Sequence, residues 1–415
     1  MAKNYDFEYI VIGSGPAGRT ISTKLAEASK KVAMIELDPT SLGGAEINTR
    51  DLPYKISLDF AHSYYTLASH PALSTSSFHF NFPTLVSNQN HIISSTRSEL
   101  EKDLISLGIT IIYGFANFLD SHTVAVGNTK YTTEKFVIAT GSVLKANEIS
   151  GLEKVKFLTP DTIFSTRRLP EFVFVVGGGP TGVEIAEYFA MLGTSVIIME
   201  RGNQLLPRED EDISKLITDH LENDLNVTVM TNAKVVEITE DYDSKIVIFT
   251  DGSGEKMVRV DTIVLATGSE PYLDYGLENA GVEYKRTGII VDKYFSTSAK
   301  NIFAIGDCIA TADSSSERAV YEAEILAENL LHRGKTTANY KNTTRIIATN
   351  PEIIITGLNE RDATTRDLNY KKSLTPLEGG GFIKVLTDRS NHTLGTCVVS
   401  KNAISALELG KLLTK

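Results

Sequence analysis

Two glycine motifs of one kind stand far apart in this chain, and each is followed by a glutamate that closes a short apolar run. The first is Gly13-Ser14-Gly15-Pro16-Ala17-Gly18, with Glu36 ending KVAMIE; the second is Gly177-Gly178-Gly179-Pro180-Thr181-Gly182, with Glu200 ending TSVIIME. Glycines at these spacings permit a tight turn and let backbone approach a pyrophosphate, whose charge then rests on the free N–H groups of the next helix. An acid about 20 residues further on can accept hydrogen bonds from ribose hydroxyls. A carboxylate at Glu200 would accept from a 2′-hydroxyl and repel a 2′-phosphate, so NAD(H) is expected there in preference to NADP(H). The adjacent Arg201 reads as a solvated surface charge, although it could blunt that preference. Two such sites imply two dinucleotides held at once, with electrons passing between them.

The elements needed to position these motifs are legible around them. EYIVIG (8–13), a helix over 16–29 and KVAMIE form one βαβ unit; EFVFVVG (171–177), the helix TGVEIAEYFAML and the strand SVIIME form a second. The repeat extends to FVIATGS, ending at Ser142, and IVLATGS, ending at Ser269, which indicates an internal duplication. Helices are expected over 55–69 and 89–107, and TIIYGFANFLDSHTVAV alternates like a small β-meander. After Ala338 the segments RIIATNPEIIITGL, GFIKVLTD and GTCVVS predict strands at 346–356, 382–386 and 396–400. An exposed loop is expected over 365–381 and a closing helix over 402–413. The expected fold class is therefore α/β: two Rossmann-like dinucleotide-binding domains and a shortened C-terminal α+β domain. The first domain would comprise 1–146 and 271–338, the second 147–270, and the last 339–415.

The totals agree with a multidomain enzyme. At 415 residues the chain exceeds one ordinary domain. Its net charge of −11 argues against a nucleic-acid or anionic-membrane surface. No apolar run is long enough to span a bilayer, and the opening MAKNYDFEYIVIG lacks the pattern of a signal peptide, so a cytoplasmic location is expected. The two cysteines, Cys308 and Cys397, have no paired spacing, which points away from a disulfide framework or a metal centre.

Taken together, GSGPAG, the GG…LPYK segment at 43–55, YGFANF, ATGS, GGGPTGVE, ATGSEP, NIFAIGDC, the A-x-x-E stretch at 319–322 and NPEIIITGLNE resemble the class I pyridine nucleotide–disulfide oxidoreductases, the group of dihydrolipoamide dehydrogenase, glutathione reductase and mercuric reductase. The resemblance runs from residue 7 to about 400. It implies that Gly13, Gly15, Gly18 and Glu36 hold FAD, with Ala116 and Thr140 on the adenine side and Asp307 on the ribityl chain. It implies that Gly177, Gly179, Gly182, Glu200, Val235 and Gly268 hold the nicotinamide nucleotide. Lys55 and Glu184 match the family's ion pair beside the flavin ring; an ordinary salt bridge is the plainer account of both. Asp307 read without the family could be a helix cap. The resemblance also implies a homodimer built on the last domain.

The chain departs from the family where thiols should be. The two redox cysteines of the segment matching Gly43–Lys55 are replaced by Glu46 and Asp51, and a carboxylate cannot form a mixed disulfide. The family's C-terminal His-x-x-x-x-Glu motif has no counterpart after His392. Pro180 occupies a position that is aromatic in some relatives. The expected activity is hydride transfer from NADH to FAD and on to an unidentified, non-disulfide acceptor. A pyridine nucleotide transhydrogenase and a nucleotide-binding redox sensor without turnover are the alternatives. Two local expectations follow: Asp51 and Lys55, spaced i,i+4, pair across a helical turn, and Glu46 with Asp51 lowers the flavin potential by adding negative charge nearby.

Overall fold

The computed structural model describes residues 4–73, 79–145, 149–310, 315–332, 334–340, 343–377 and 380–400. The chain separates into two compact units, one of residues 1–54, 88–145 and 269–339, the other of residues 55–87, 146–268 and 340–415. Its helices, in chain order, are α1 (Pro16–Glu27), α2 (Gly44–Asn48), α3 (Asp51–Ala68), α4 (Phe82–Ser106), α5 (Pro180–Met191), α6 (Glu211–Asp219), α7 (Ser316–His332) and α8 (Glu360–Thr365). Among the described residues no helix is long and apolar enough to cross a membrane.

The first unit is built on one seven-stranded sheet. Strand Phe7–Ile12 lies parallel between Val32–Glu36 and the second half of Thr129–Ile138. Val32–Glu36 pairs in parallel with Thr110–Tyr113, and Thr129–Ile138 with Ile302–Ala304. The first residues of Thr129–Ile138 instead fold back, antiparallel, on Thr123–Val126, which pairs with Ala116–Asp120. The meander expected from residue 110 thus begins at Ala116; Thr110–Tyr113 belongs to the parallel layer. Ile10, Val11, Ala33, Met34, Val137 and Ile138 are essentially inaccessible, as strands covered on both faces must be. Ile21 and Leu25, one turn apart on α1, close the same core, and α1 packs against α7.

The second unit repeats the parallel motif with the order Thr228–Met230, Ser195–Met199, Phe172–Val176, Thr262–Leu265. It adds a three-stranded antiparallel sheet (Lys234–Asp241, Ser244–Thr250, Glu255–Val260) and a C-terminal antiparallel sheet in the order Thr344–Ile347, Glu352–Gly357, Thr393–Ser400, Phe382–Thr387, Lys371–Pro376. The exposed loop expected over 365–381 therefore contains a strand. Lys371–Pro376 is exposed along its whole length, as expected, yet it pairs with Phe382–Thr387. Its polar, lysine-bearing sequence suits an edge that must not recruit another strand. The helices expected over 55–69 and 89–107 start earlier, at Asp51 and Phe82; Asp51 sits in a first turn, where a carboxylate complements the helix dipole. The helix expected over 402–413 lies outside the described residues.

Lys384, only 1% exposed, fastens the C-terminal sheet to the segment that opens α6. Its Nζ lies 2.5 Å from Asp210, 2.7 Å from Asp212 and 3.1 Å from Glu360. Asp210 also accepts the backbone N–H groups of Glu360 and Arg361 at the start of α8. Burial opposes the ammonium, but the three carboxylates hold its pKa above the ordinary lysine range. Burial likewise pushes the Glu360 carboxyl up, and Lys372 and Lys384 outweigh it, leaving its pKa below the usual value. Removing the buried cation leaves Asp210 and Asp212 facing Glu360 with only the more exposed Lys372 beside it, so Lys384→Met is expected to cost about 3 kcal/mol, read as a lower urea midpoint. The Glu360 contribution is fully present above the unfolded glutamate value of about 4.3 and is lost as pH falls through the lowered folded value. A wild-type acid limb unchanged in Glu360→Gln would contradict that assignment.

Candidate functional site

The first glycine loop is shaped by two close approaches. Gly13 ends its strand with φ +103°, and a Cβ there would lie 2.3 Å from the Ala139 carbonyl oxygen. At Gly18 a Cβ would lie 1.9 Å from the Gly13 carbonyl oxygen, which is how α1 comes down onto the strand end. Gly15 differs: its conformation is ordinary (φ −62°) and a Cβ would meet nothing within 4 Å. It caps α1 with no side-chain hydrogen bond and is followed by Pro16. The first N–H groups of α1 therefore have no side-chain cap, and the space before them is open.

The second loop copies this geometry. Gly177 has φ +113° and its Cβ would lie 2.4 Å from the Ala266 carbonyl oxygen; a Cβ at Gly182 would lie 1.9 Å from that of Gly177. Gly179, the uncapped start of α5, again has nothing within 4 Å. The two glutamates behave alike. Glu36 Oε2 accepts from the Ser14 N–H (3.0 Å) and hydroxyl (2.5 Å), and Oε1 accepts from the Leu37 N–H (2.7 Å). Glu200 Oε2 accepts from the Gly178 N–H (2.8 Å) and Oε1 from the Gly202 N–H (2.7 Å). Burial raises the pKa of Glu36, while the Ser14 hydroxyl and the loop N–H groups pull it back. A carboxylate offers about four acceptor positions, so each acid keeps acceptor capacity for a ribose.

The loops differ at two residues, Ser14 against Gly178 and Ala17 against Thr181, and the first of these changes the contacts. Ser14 fits between Glu36 and the N–H of Gly43, which its hydroxyl accepts at 2.8 Å. Gly178 has no such space, since a Cβ there would lie 2.7 Å from both Glu200 Cβ and Leu205 Cδ2. Through Ser14 the segment 43–48 is drawn over the first loop. Gly43 and Gly44 are left-handed, and a Cβ on Gly44 would lie 2.6 Å from Gly15 Cα.

That segment carries Glu46, whose Oε2 lies 2.5 Å from Arg19 Nη2 on α1. The charge anticipated at position 46 is thus compensated by a cation the sequence did not mark. Asp51 accepts from the Ser316 hydroxyl at the start of α7, rather than being reserved for Lys55. Asp307 follows strand Ile302–Ala304 and accepts from the Ser142 hydroxyl (3.3 Å). Burial pushes its carboxyl up, against the pull of Arg50, Ser142 and Arg318. Glu322, completely buried on α7, accepts from the Gly306 N–H and from Arg318 Nε, both at 2.7 Å. The A-x-x-E stretch had marked Glu322 without a role; Arg19, Arg50 and Ser316 had no sequence signal. Ala116 opens its strand and is buried, and the Thr140 hydroxyl is 3.5 Å from that of Tyr275.

Gly13, Gly15, Gly18, Glu36, Glu46, Asp51, Ala116, Thr140 and Asp307 all belong to the first unit, and Lys55, Gly177, Gly179, Gly182, Glu184, Glu200, Val235 and Gly268 to the second. Lys55 is exposed on α3, and Glu184 on α5 accepts from the Ala348 N–H (2.8 Å). Val235 is buried, and Gly268 is exposed with φ +95°. Both thiols are hidden: Cys308 is 0% and Cys397 4% exposed. Burial pushes the Cys308 thiol up to about 12 and that of Cys397 higher still.

The chain belongs to the pyridine nucleotide-disulphide oxidoreductase family, whose pattern matches residues 7–325. It is similar to the mercuric reductase of Staphylococcus aureus, with 30% identity over 96% of this chain and 75% of that protein. It is also similar to the dihydrolipoyl dehydrogenase of Buchnera aphidicola subsp. Schizaphis graminum, with 30% identity over 95% of this chain and 83% of the relative. Among solved structures, the HOCl-induced flavoprotein disulfide reductase RclA from Escherichia coli matches with a TM-score of 0.87 at 26% identity, covering 98% of this chain and 93% of that one. Membership implies FAD and a nicotinamide nucleotide as cofactors.

The glycines make separable predictions. Gly15→Ala adds a methyl group only to open space, so thermal stability of the nucleotide-free chain should change by less than about 0.5 kcal/mol, while flavin affinity falls at least about tenfold. Gly18→Ala should fail to give folded protein. Flavin retention by Gly15→Ala equal to wild type would remove the loop from the binding site.

Proposed function

We propose that this protein is an FAD-dependent NADH oxidoreductase that delivers electrons to an acceptor other than a disulfide. The observation that carries this reading is the chemistry at positions 46 and 51. Glu46 is paired with Arg19 and Asp51 with Ser316, and neither can exchange with a disulfide. The chain's two thiols are buried with raised pKa values, so neither supplies a nucleophilic thiolate.

The residues present fit two dinucleotides. The open space before Gly15 and Gly179, at two uncapped helix starts, suits a pyrophosphate. Gly13, Gly15, Gly18 and Glu36 would hold FAD, with Ala116 and Thr140 toward its adenine end and Asp307 toward its ribityl chain. Gly177, Gly179, Gly182, Glu200, Val235 and Gly268 would hold NADH, Glu200 disfavouring a 2′-phosphate. When bound, the flavin supplies acceptance of the nicotinamide hydride and onward transfer of two electrons. The chain aligns and charges the site: Lys55 offers a cation where the family places one beside the ring, and Glu184, held by the Ala348 N–H, offers its counter-charge. The Arg19–Glu46 and Arg50–Asp307 interactions leave local charge nearly balanced, which argues for a modest effect of Glu46 on the flavin potential. A homodimer and a cytoplasmic location complete the proposal.

Anaerobic NADH is expected to bleach the flavin within the mixing time of a stopped-flow instrument. Lipoamide and glutathione disulfide should then fail to reoxidise it. Flavin left oxidised by excess NADH would sink the enzyme reading in favour of a sensor, and rapid hydride exchange into a thio-NADP analogue would replace it with transhydrogenation. Lys55→Met should slow the NADH half-reaction by about tenfold, equivalent to ~1.4 kcal/mol of barrier, leaving flavin content intact. An unchanged rate would return Lys55 to the solvated surface.

A further inference from the structure

Glu187 lies one turn beyond Glu184 on α5, is 0% exposed, and has no part in either nucleotide loop. Its Oε1 accepts from the Asn350 N–H (2.9 Å) and faces His220 Nε2 at 3.2 Å. Its Oε2 is buried with no hydrogen-bond partner. A buried acceptor left unpaired costs on the order of 1–3 kcal/mol, so the carboxylate keeps coordinating capacity in a buried place. His62, on α3, presents Nε2 to Oε1 of the same carboxylate at 4.0 Å, the oxygen His220 also faces, and that nitrogen is buried without a hydrogen-bond partner.

The surroundings are organised around these atoms. His220 Nδ1 lies 2.8 Å from Asp224 Oδ2, the arrangement in which an outer carboxylate fixes the ring and points Nε2 inward. His220 and Asp224 open and close a π-helical turn, His220–Asp224, sealed by an N–H of Leu225 donating to the His220 carbonyl. Such turns are rare and recur at functional sites. The Tyr65 hydroxyl donates to the Asp224 carbonyl (2.8 Å), tying α3, and with it His62, to the turn.

We propose that His62, His220 and Glu187 form a site for one divalent transition-metal ion of the zinc class, with Asp224 orienting His220. Two imidazoles and one carboxylate are the donor set of open zinc sites, and imidazole disfavours magnesium and calcium. Tetrahedral coordination at ordinary zinc–ligand lengths sets ligand atoms about 3.3 Å apart. The His220–Glu187 pair is already at that spacing, and His62, whose side chain is 27% exposed, must swing inward. The ion would give His62 Nε2 a partner and would be held by Glu187 through Oε1, with Oε2 free to complete a bidentate carboxylate. Without it a proton serves in part: burial disfavours the charged ring, yet Glu187 and Asp224 hold the His220 pKa above its ordinary value. A contrasting cluster shows what a filled site looks like, for Asp210, Asp212 and Glu360 also converge, and the Lys384 ammonium occupies their centre. Metal at Glu187 would clamp α3, α5 and the π turn together within the second unit.

The full-length chain, stripped with a chelator and returned to buffer, is titrated with zinc chloride by calorimetry and with cobalt(II) by visible absorption. One zinc per chain is expected, with an intense cobalt spectrum of four-coordinate type. Glu187→Gln and His62→Gln should each weaken zinc binding at least tenfold and remove the cobalt bands. Because Glu187 is buried and its variant could misfold, His62→Gln, checked for wild-type circular dichroism and melting, decides the matter. Replacement of the exposed His392 by Gln should leave binding unchanged. Absence of zinc binding, wild-type affinity in His62→Gln, or loss of the site in His392→Gln would each overturn the assignment.

Discussion

In each half of the duplicated architecture a carboxylate reaches back 22 residues to the turn that precedes a helix: Glu36 to Ser14 and Glu200 to Gly178. Much else depends on this contact. It pins the end of the second strand against the first glycine turn, and so fixes where the helix N-terminus opens. It also demands that the turn pass close to the helix, which only glycine at positions 18 and 182 permits. The acid is thus a structural member of the turn in its own right, apart from the ribose contact proposed for it. In the proposed binding mode, fold and ligand geometry would be set by the same atoms.

The copies have diverged in how they use that contact. Ser14 extends it, since its hydroxyl links Glu36 to the N–H of Gly43 and draws α2 over the loop. The second loop has Gly178 at this place and closes with Leu205 and Glu200 instead. One atom, Ser14 Oγ, therefore decides that the segment bearing Glu46 belongs to the first glycine loop. The Arg19–Glu46 ion pair follows directly, because α2 is held above the first turns of α1.

The parts legible in the sequence were those encoded locally. Glycine spacing, the glutamates at strand ends and the apolar runs of EYIVI and FVFVV specify their own βαβ units, because turn chemistry and burial act over a few residues. Strand partners were less legible. Thr110–Tyr113 reads as the start of a meander, yet Val32–Glu36 provides its parallel neighbour, and short alternation does not encode direction. Lys371–Pro376 reads as a loop because its residues are polar, a consequence of its edge position rather than of missing hydrogen bonds. Side-chain networks were illegible for a plainer reason: Arg19 meets Glu46 across 27 positions, and His62, Glu187 and His220 come from three separate segments. Charge type alone does not say which carboxylate a cation will find.

The burial of both thiols has a consequence for life in an oxidising environment. Cys308 sits under strand Thr129–Ile138 with its Sγ–H donating to the carbonyl oxygens of Ile138 and Ile305, and Cys397 lies within the C-terminal sheet. A neutral, inaccessible thiol is a poor target for peroxide, glutathione disulfide or electrophiles. Among the described residues the sulfur open to an oxidant is instead that of Met257, 70% exposed, where oxidation would stop at a sulfoxide far from either thiol's exchange chemistry.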